Sequence, residues 1–241
     1  SVNAPHFVGC FIAGTDTGVG KTRVTAALLR ALEVQGVRAA GMKPVAAGTS
    51  GARNEDVETL VAHSCTGPAA RDLNPYCFPD PISPHLAARR AGVAIDPAVI
   101  VAAYRRNALH CEVVLVEGTG GWLTPISATA TMAEVACALA LPVVLVVGIR
   151  LGCLNHALLS AQAIVQRGLV LAGWIGSMVD PAMRALDENR ATLAARIAAP
   201  ELGWLPYAPD DREDAAHLRG AADALLQGND RGRSVGTELG A

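Results

Sequence analysis

The nine residues GTDTGVGKT, Gly14 to Thr22, carry the plainest chemistry in the chain. A glycine-rich turn ending in Gly20-Lys21-Thr22, after an apolar run and before a helix-like segment, is the setting of a phosphate-binding loop. Gly18 and Gly20 let the backbone N–H groups around Val19 turn inward. The helix N-terminus near Lys21 adds the positive end of a dipole. Lys21 can reach the β- and γ-phosphate oxygens of a nucleoside triphosphate, and the Thr22 hydroxyl can ligate Mg²⁺. The spacing departs from G-x-x-x-x-G-K-[ST]. That pattern needs glycine where Thr15 stands, and the nearest glycine, Gly14, comes one residue earlier.

A metal held by Thr22 needs a carboxylate from a neighbouring strand end. Glu117 closes the run EVVLVEG and meets that need. Gly118, Gly120 and Gly121 follow it and permit close approach to a ligand. Asp56, in RNED, is a second carboxylate. The residues alone leave it between a metal ligand and an ordinary solvated loop aspartate. Lys43 ends the run VRAAGMKPV, and Pro44 fixes the chain just after it. Either Lys43 snorkels to solvent, or it faces the same crevice as Lys21 and serves a substrate that becomes strongly anionic.

These residues need a frame. Apolar runs at 7–14, 37–45, 112–118, 142–148, 169–176 and 201–207 read as strands apolar on both faces, which suits a parallel sheet covered on each side. Between them, TRVTAALLRALEVQG, NHALLSAQAIVQRG and MRALDENRATLAARIAA have helical periodicity. The alternation predicts an α/β fold: a doubly wound, mostly parallel sheet with helices on both faces, of the P-loop NTPase type. Ligands of such sheets sit at the C-terminal ends of the strands, where Lys43 and Glu117 fall. Residues 46–85, rich in Pro, Gly and Asn, read as a long functional insertion. One domain is expected over 1–226, with a flexible tail over 227–241.

Composition narrows the class. Of 241 residues, 51% are apolar and 17% charged, and the net charge is −2. That favours a compact core and argues against nucleic acid as a partner. The longest apolar stretch, Val135 to Ile149, contains Pro142 and Gly148 and is too short to span a bilayer. With no charged-then-apolar opening segment, the expected setting is the cytoplasm. The six cysteines form no CxxC pair and read as reduced, buried thiols.

Taken together, GTDTGVGKT, KPVAAG, NPYCFPDPISPH, VEGTGGWLTPIS, PVVLVVGIRLGCLNHALLSAQ and LAGWI resemble the ATP-dependent dethiobiotin synthetase family, from about Phe7 to Tyr207. The longer spacer of the loop is that family's own. The resemblance implies a homodimer with active sites at its interface, ATP as co-substrate and Mg²⁺ as cofactor. It implies that 7,8-diaminononanoate, CO₂ and the nucleoside triphosphate give dethiobiotin, ADP and phosphate, through a carbamate and a carbamic–phosphoric anhydride. It gives Lys43 the carbamate and transferred phosphate, Lys21 the loop phosphates and Thr17 a place beside the reacting groups. It makes Thr22, Asp56 and Glu117 the metal site, with Gly118, Thr119 and Gly120 part of the nucleotide site. Gly152, Cys153, Leu154 and Asn155 open a helix whose free N–H groups suit the substrate carboxylate in the partner subunit's site. A plain helix cap by Asn155 is compatible with this, and Cys153 is then a packing residue.

Three positions depart from the family pattern. Gly18 replaces a larger residue. Ala47 stands where some members carry a substrate-binding serine, a contact Thr49 or water would have to supply. Ser177, beside Met178, replaces an asparagine that reads the adenine edge, so base selectivity is open. Leu205, Pro206, Tyr207 and Ala208 are expected to flank the base through backbone groups, with Asp210 or Asp211 near the ribose. The main alternative is a nucleotide switch of the partitioning type. Such proteins carry an extra lysine where Asp16 stands, and it is missing here.

Overall fold

A computed structural model describes residues 8–49, 54–207 and 210–235. The chain runs β1 (Val8–Gly14), α1 (Lys21–Val34), β2 (Ala39–Met42), β3 (Val45–Ala47), α2 (Glu55–Ala62), α3 (Ala70–Leu73), β4 (Tyr76–Phe78), α4 (Pro84–Arg90) and α5 (Pro97–Ala108). It continues with β5 (Val113–Glu117), α6 (Met132–Leu139), β6 (Val143–Ile149), α7 (Cys153–Gln166), β7 (Leu171–Met178), α8 (Leu186–Arg196), β8 (Glu201–Leu205), α9 (Asp211–His217) and α10 (Arg219–Val235). Among the described residues, six strands form one parallel sheet in the order β2-β5-β1-β6-β7-β8.

The two-sided apolar runs are explained by two cores, one on each face. Side chains alternate along a strand. In β1, Phe11 and Ala13 join the core under α5–α8, while Cys10 and Ile12 join the core under α1 and α10. In β6, Val143, Leu145 and Val147 pack on the first face, while Val144 and Val146 pack on the second. Every residue of β5 and β6 is buried.

The expected second strand is broken in two. β2 ends at Met42, the Lys43 N–H turns to the Leu73 carbonyl at 2.8 Å, and β3 leaves the main sheet to pair with β4. Pro44 supplies the physical reason: with no N–H, it cannot continue the ladder. The insertion at 46–85 is also more regular than its composition indicates, since α2, α3 and β4 lie within it. Helix α10 runs to Val235, past the expected start of the tail, and 236–241 lie outside the described residues. Among the described residues, no helix is long and apolar enough to cross a membrane.

Candidate active site

β1 sits between β5 and β6, so the loop after it opens at the reversal of strand order, where ligands of doubly wound sheets bind. The loop is tied to β6: Thr15 N–H donates to the Val146 carbonyl at 3.0 Å, and Gly148 N–H to Thr15 Oγ1 at 3.3 Å. Val19, 1% exposed, packs so close to Gly148 that a side-chain Cβ there would come within 2.6 Å of it. Gly20 has φ of 87° and lies over Ser177, whose hydroxyl would be 2.5 Å from an added Cβ. Both its conformation and its surroundings therefore demand glycine.

Lys21 folds back under the loop and donates to the Asp16 carbonyl at 2.8 Å. A Cβ on Gly14 would stand 2.8 Å from the Lys21 side chain. The early glycine of this loop is thus the floor on which its lysine lies. Burial, helped by the nearby Lys43 charge, lowers Lys21 to about 8 from the ordinary value of 10.5. Between those two values the unfolded chain holds the proton and the folded chain does not. This lysine therefore makes stability rise with pH across that window. A bound phosphate would draw the proton back. Nucleotide binding at pH 9 is expected to take up close to one proton, and at pH 7 close to none. Calorimetry in buffers of different ionisation heat measures this; equal uptake at both pH values would place the lowered pKa on another group.

β2 and β5 pair with Met42 opposite Val116, and this register carries Lys43 to Glu117. Lys43 Nζ lies 2.6 Å from Glu117 Oε1 and 2.7 Å from Asp56 Oδ2. Thr22 Oγ1 donates to Glu117 Oε1 at 2.7 Å. Burial opposes charge on Lys43, but the two carboxylates outweigh it and hold its pKa above the usual lysine value. Asp56 is likewise opposed by burial, yet the Lys43 charge and hydrogen bond keep it below the usual carboxylate value. Asp56 is no loop residue. It lies in the first turn of α2, whose cap Asn54 accepts from Val57 N–H at 3.2 Å and donates to the Gly48 carbonyl at 2.6 Å. The sequence Asn-Glu-Asp-Val-Glu, a cap before an acidic first turn, was the available signal.

This donor set fits a hard divalent cation. Thr22 Oγ1, Glu117 and Asp56 offer oxygen ligands at one point. Glu117 is fully buried, and its Oε2 has no hydrogen-bond partner, a costly state that a cation would relieve.

The cleft above these groups measures about 830 Å³. Thr17, Gly18, Gly20, Lys21, Thr22, Lys43, Ala47, Asp56, Glu117, Thr119 and Gly120 all line it. Pro81, Ile82 and Ser83 close it from the side of the insertion, a wall not predicted from sequence. Gly118 is buried instead against Phe11, where a Cβ would come within 3.0 Å of the ring. Thr119 caps the turn by donating its hydroxyl to the Val45 carbonyl.

Other predicted residues lie elsewhere. Thr49 does not line the cleft; its N–H is bonded to the Pro79 carbonyl at 3.1 Å. Gly152, Cys153, Leu154 and Asn155 do not line the cleft of their own chain. Gly152, not Asn155, caps α7, with φ of 93° and no side-chain hydrogen bond; Cys153 is buried in the core. Ser177 is buried beneath Gly20, and Met178 ends β7 half-buried beside it.

Beyond β8 lie the residues expected at the base and ribose. Leu205 is fully buried, Tyr207 is exposed, and Ala208 lies outside the described residues. The Pro206 carbonyl, expected at the base, accepts from Arg23 Nη1 at 2.7 Å. The Asp210 carboxylate, expected at the ribose, caps α9. The N–H groups of Glu213 and Arg212 hold its pKa below the ordinary value.

Sequence reasoning missed Arg23 and Arg150. Arg23 forms a two-pronged pair with Asp214 at 2.6 Å on each prong, so the helix of the phosphate loop is clamped to the segment after β8. Asp214 is 3% exposed in its side chain. Arg23→Met leaves that carboxylate buried and unpaired, and a loss of about 2–4 kcal/mol is expected. Adding Asp214→Leu should restore most of it, since no buried charge then remains. Chemical denaturation of both variants measures this; a single variant as stable as the parent would refute the clamp. Arg150 Nη2 meets Asp16 Oδ2 at 2.6 Å. That pair is well exposed and contributes orientation more than stability.

A parallel sheet with this loop at its reversal point, a buried lysine under the loop and a carboxylate–threonine cluster beside it define a P-loop nucleotide-binding protein. The structural neighbours agree on the fold. The cell-division ATPase MinD of Pyrococcus furiosus aligns with TM-score 0.54 over 91% of this chain and 99% of its own, at 15% identity. MinD from Aquifex aeolicus aligns with TM-score 0.52 over 94% of this chain and 97% of its own, at 16% identity. A protein-family model described as an AAA domain matches residues 9–213. Sequence relatives are closer. An ATP-dependent dethiobiotin synthetase BioD from Ralstonia nicotianae is 54% identical over 87% of this chain and 94% of its own length. One from Xanthomonas axonopodis pv. citri is 49% identical over 86% and 95%. The chain belongs to the ATP-dependent dethiobiotin synthetase family and is an enzyme of the ligase class.

Proposed function

We propose that the chain converts 7,8-diaminononanoate, CO₂ and a nucleoside triphosphate to dethiobiotin, with ADP and phosphate released when ATP is used. The observation that carries this is the convergence of two buried lysines with Thr22, Asp56 and Glu117 in one cleft. In the proposed sequence one substrate amine attacks CO₂ and loses a proton, giving a carbamate. A carbamate oxygen attacks the γ-phosphorus and displaces ADP. The second amine then attacks the carbamate carbon, expels phosphate and loses its proton, closing the ring.

Every species along this path is anionic, so positioning and charge neutralisation are the main demands on the protein. Lys21 and the loop N–H groups hold the phosphates. Lys43 stabilises the carbamate and the phosphoryl group in transfer, and Thr17 lies beside them. Thr22, Asp56 and Glu117 would hold Mg²⁺, which neutralises phosphate charge when bound. Ala47 and Thr49 lie toward the diamine. Ser177 offers no amide to a base, so that position does not by itself enforce adenine.

The proposed active form is a homodimer. Gly152 and Asn155 are exposed at the start of α7 and do not line their own cleft, and Leu151 beside them is 90% exposed. A partner subunit would cover this edge and receive the helix N-terminus at its substrate carboxylate. The test of the function is phosphate release from ATP, Mg²⁺ and bicarbonate, with and without 7,8-diaminononanoate, with the ring product followed by mass. Release that depends on the diamine is the expected result. Release indifferent to it would favour a nucleotide switch.

A further inference from the structure

At the end of the sheet opposite the cleft, where β2 and β5 begin, two thiols meet. Cys65 Sγ and Cys111 Sγ lie 3.0 Å apart, close enough for one thiol to hydrogen-bond the other. They come from positions 46 residues apart, and each is tethered to the start of the β2–β5 pair. Cys65 N–H donates to the Ala39 carbonyl at 2.7 Å. Cys111 N–H donates to the Asn107 carbonyl at 3.1 Å, and the next residue, Glu112, donates to the Arg38 carbonyl at 2.7 Å. Ala39 and Val113 are themselves register partners. The backbone therefore holds the two cysteine positions close together from both sides.

We propose that Cys65 and Cys111 are a reversible modification site, a dithiol that a small-molecule disulfide converts to an intramolecular disulfide. A disulfide brings its sulfurs to about 2.05 Å, so the approach needed is about 1 Å. The two thiols divide the roles by exposure. Cys65 is half-buried and lines a cavity of about 240 Å³ with Arg38, His63 and Ser64. Cys111 is buried, and burial together with the Cys65 hydrogen bond pushes its thiol well above the usual range. Cys65 is the attacking sulfur. Its thiolate displaces one thiol from the small disulfide, giving a mixed disulfide. Cys111 sulfur then attacks Cys65 Sγ and expels the second thiol. Two protein thiols become one disulfide, one small disulfide becomes two thiols, and the two protons pass to those leaving groups.

Oxidation would bind the end of α2, whose first turn holds Asp56, to the entry of β5, whose far end holds Glu117. Of the remaining cysteines, Cys77 corrects the expectation of buried thiols: it lies on the outward face of β4, in the two-stranded surface sheet, and is exposed. It is the natural control.

The full chain is incubated folded with oxidised glutathione, free thiols are blocked, and non-reduced peptides are mapped by mass spectrometry. A Cys65–Cys111 linked peptide is expected. It should be absent in C65S and in C111S, retained in C77S, and released by dithiothreitol. If Cys65 and Cys111 are both recovered blocked while Cys77 carries glutathione, the proposal fails. It fails equally if Cys65 or Cys111 is found linked to any other cysteine. C65S decides the matter alone should C111S fold poorly, because Cys65 is the more exposed of the two.

Discussion

Lys43→Met is expected to lower turnover by about 10²–10³-fold while leaving nucleotide affinity nearly unchanged. Lys43 is 4% exposed and lies at the meeting point of Glu117 and Asp56. Nothing in its position serves the base or the α-phosphate end of the loop. In the proposed reaction its charge would act where negative charge grows, on the carbamate and the phosphoryl group in flight. The same contacts predict a second effect of the opposite sense. Removing the ammonium leaves both carboxylates of the proposed cation site without their internal partner, so the Mg²⁺ concentration needed for half-maximal activity should not rise. Steady-state kinetics over a Mg²⁺ series reads both at once. A raised nucleotide KM with unchanged turnover would show that Lys43 only binds, and the assignment of transition-state stabilisation would be wrong. The variant also leaves Glu117 buried with only Thr22 as donor, and a stability loss of about 3 kcal/mol is expected from an uncompensated buried charge. Thermal unfolding must therefore accompany the kinetics.

Glu117→Gln tests the other half of the site. The amide keeps the shape and an oxygen for Thr22 and Lys43, which donate to Oε1 at 2.7 and 2.6 Å. It replaces the partnerless Oε2 with a group of the same size, so the fold should persist. What is lost is the charge that a cation requires. A metal contributes several kcal/mol to a phosphoryl-transfer transition state, so activity at ordinary Mg²⁺ should fall about 10³-fold. Part of it should return as Mg²⁺ is raised, because Thr22 and Asp56 remain. Titration of activity and of nucleotide binding against Mg²⁺ gives the result. An unchanged Mg²⁺ dependence would remove Glu117 from the proposed metal site and leave it as the counter-ion of Lys43.

Much of this was written locally. Gly14 to Thr22 could be read as a phosphate loop because strand, turn and helix are consecutive and Gly18 and Gly20 answer a backbone demand. Glu117 and Lys43 stood out because charged groups at the ends of apolar runs fall at the carboxyl ends of the strands of a parallel sheet. The doubly wound fold followed from strands apolar on both faces, which β5 and β6 prove to be. Local patterns fix backbone conformation and the direction of a face, and these needed nothing more.

What tertiary structure alone decided are the meetings between distant segments. Lys43 reaches Glu117, 74 residues away, because β2 lies beside β5 and not beside β1. No residue within either strand states that order. Asp56 was ambiguous as a loop residue and becomes a partner of Lys43 once α2 is capped by Asn54 and packs on this edge. The glycine at position 14 had no visible cause until the Lys21 side chain was found lying against it. Arg23 and Asp214, 191 residues apart, and the paired thiols of Cys65 and Cys111 belong to the same group. Their partners are chosen by the crossing of elements over the sheet, a property of how the chain closes on itself and not of any stretch read along it.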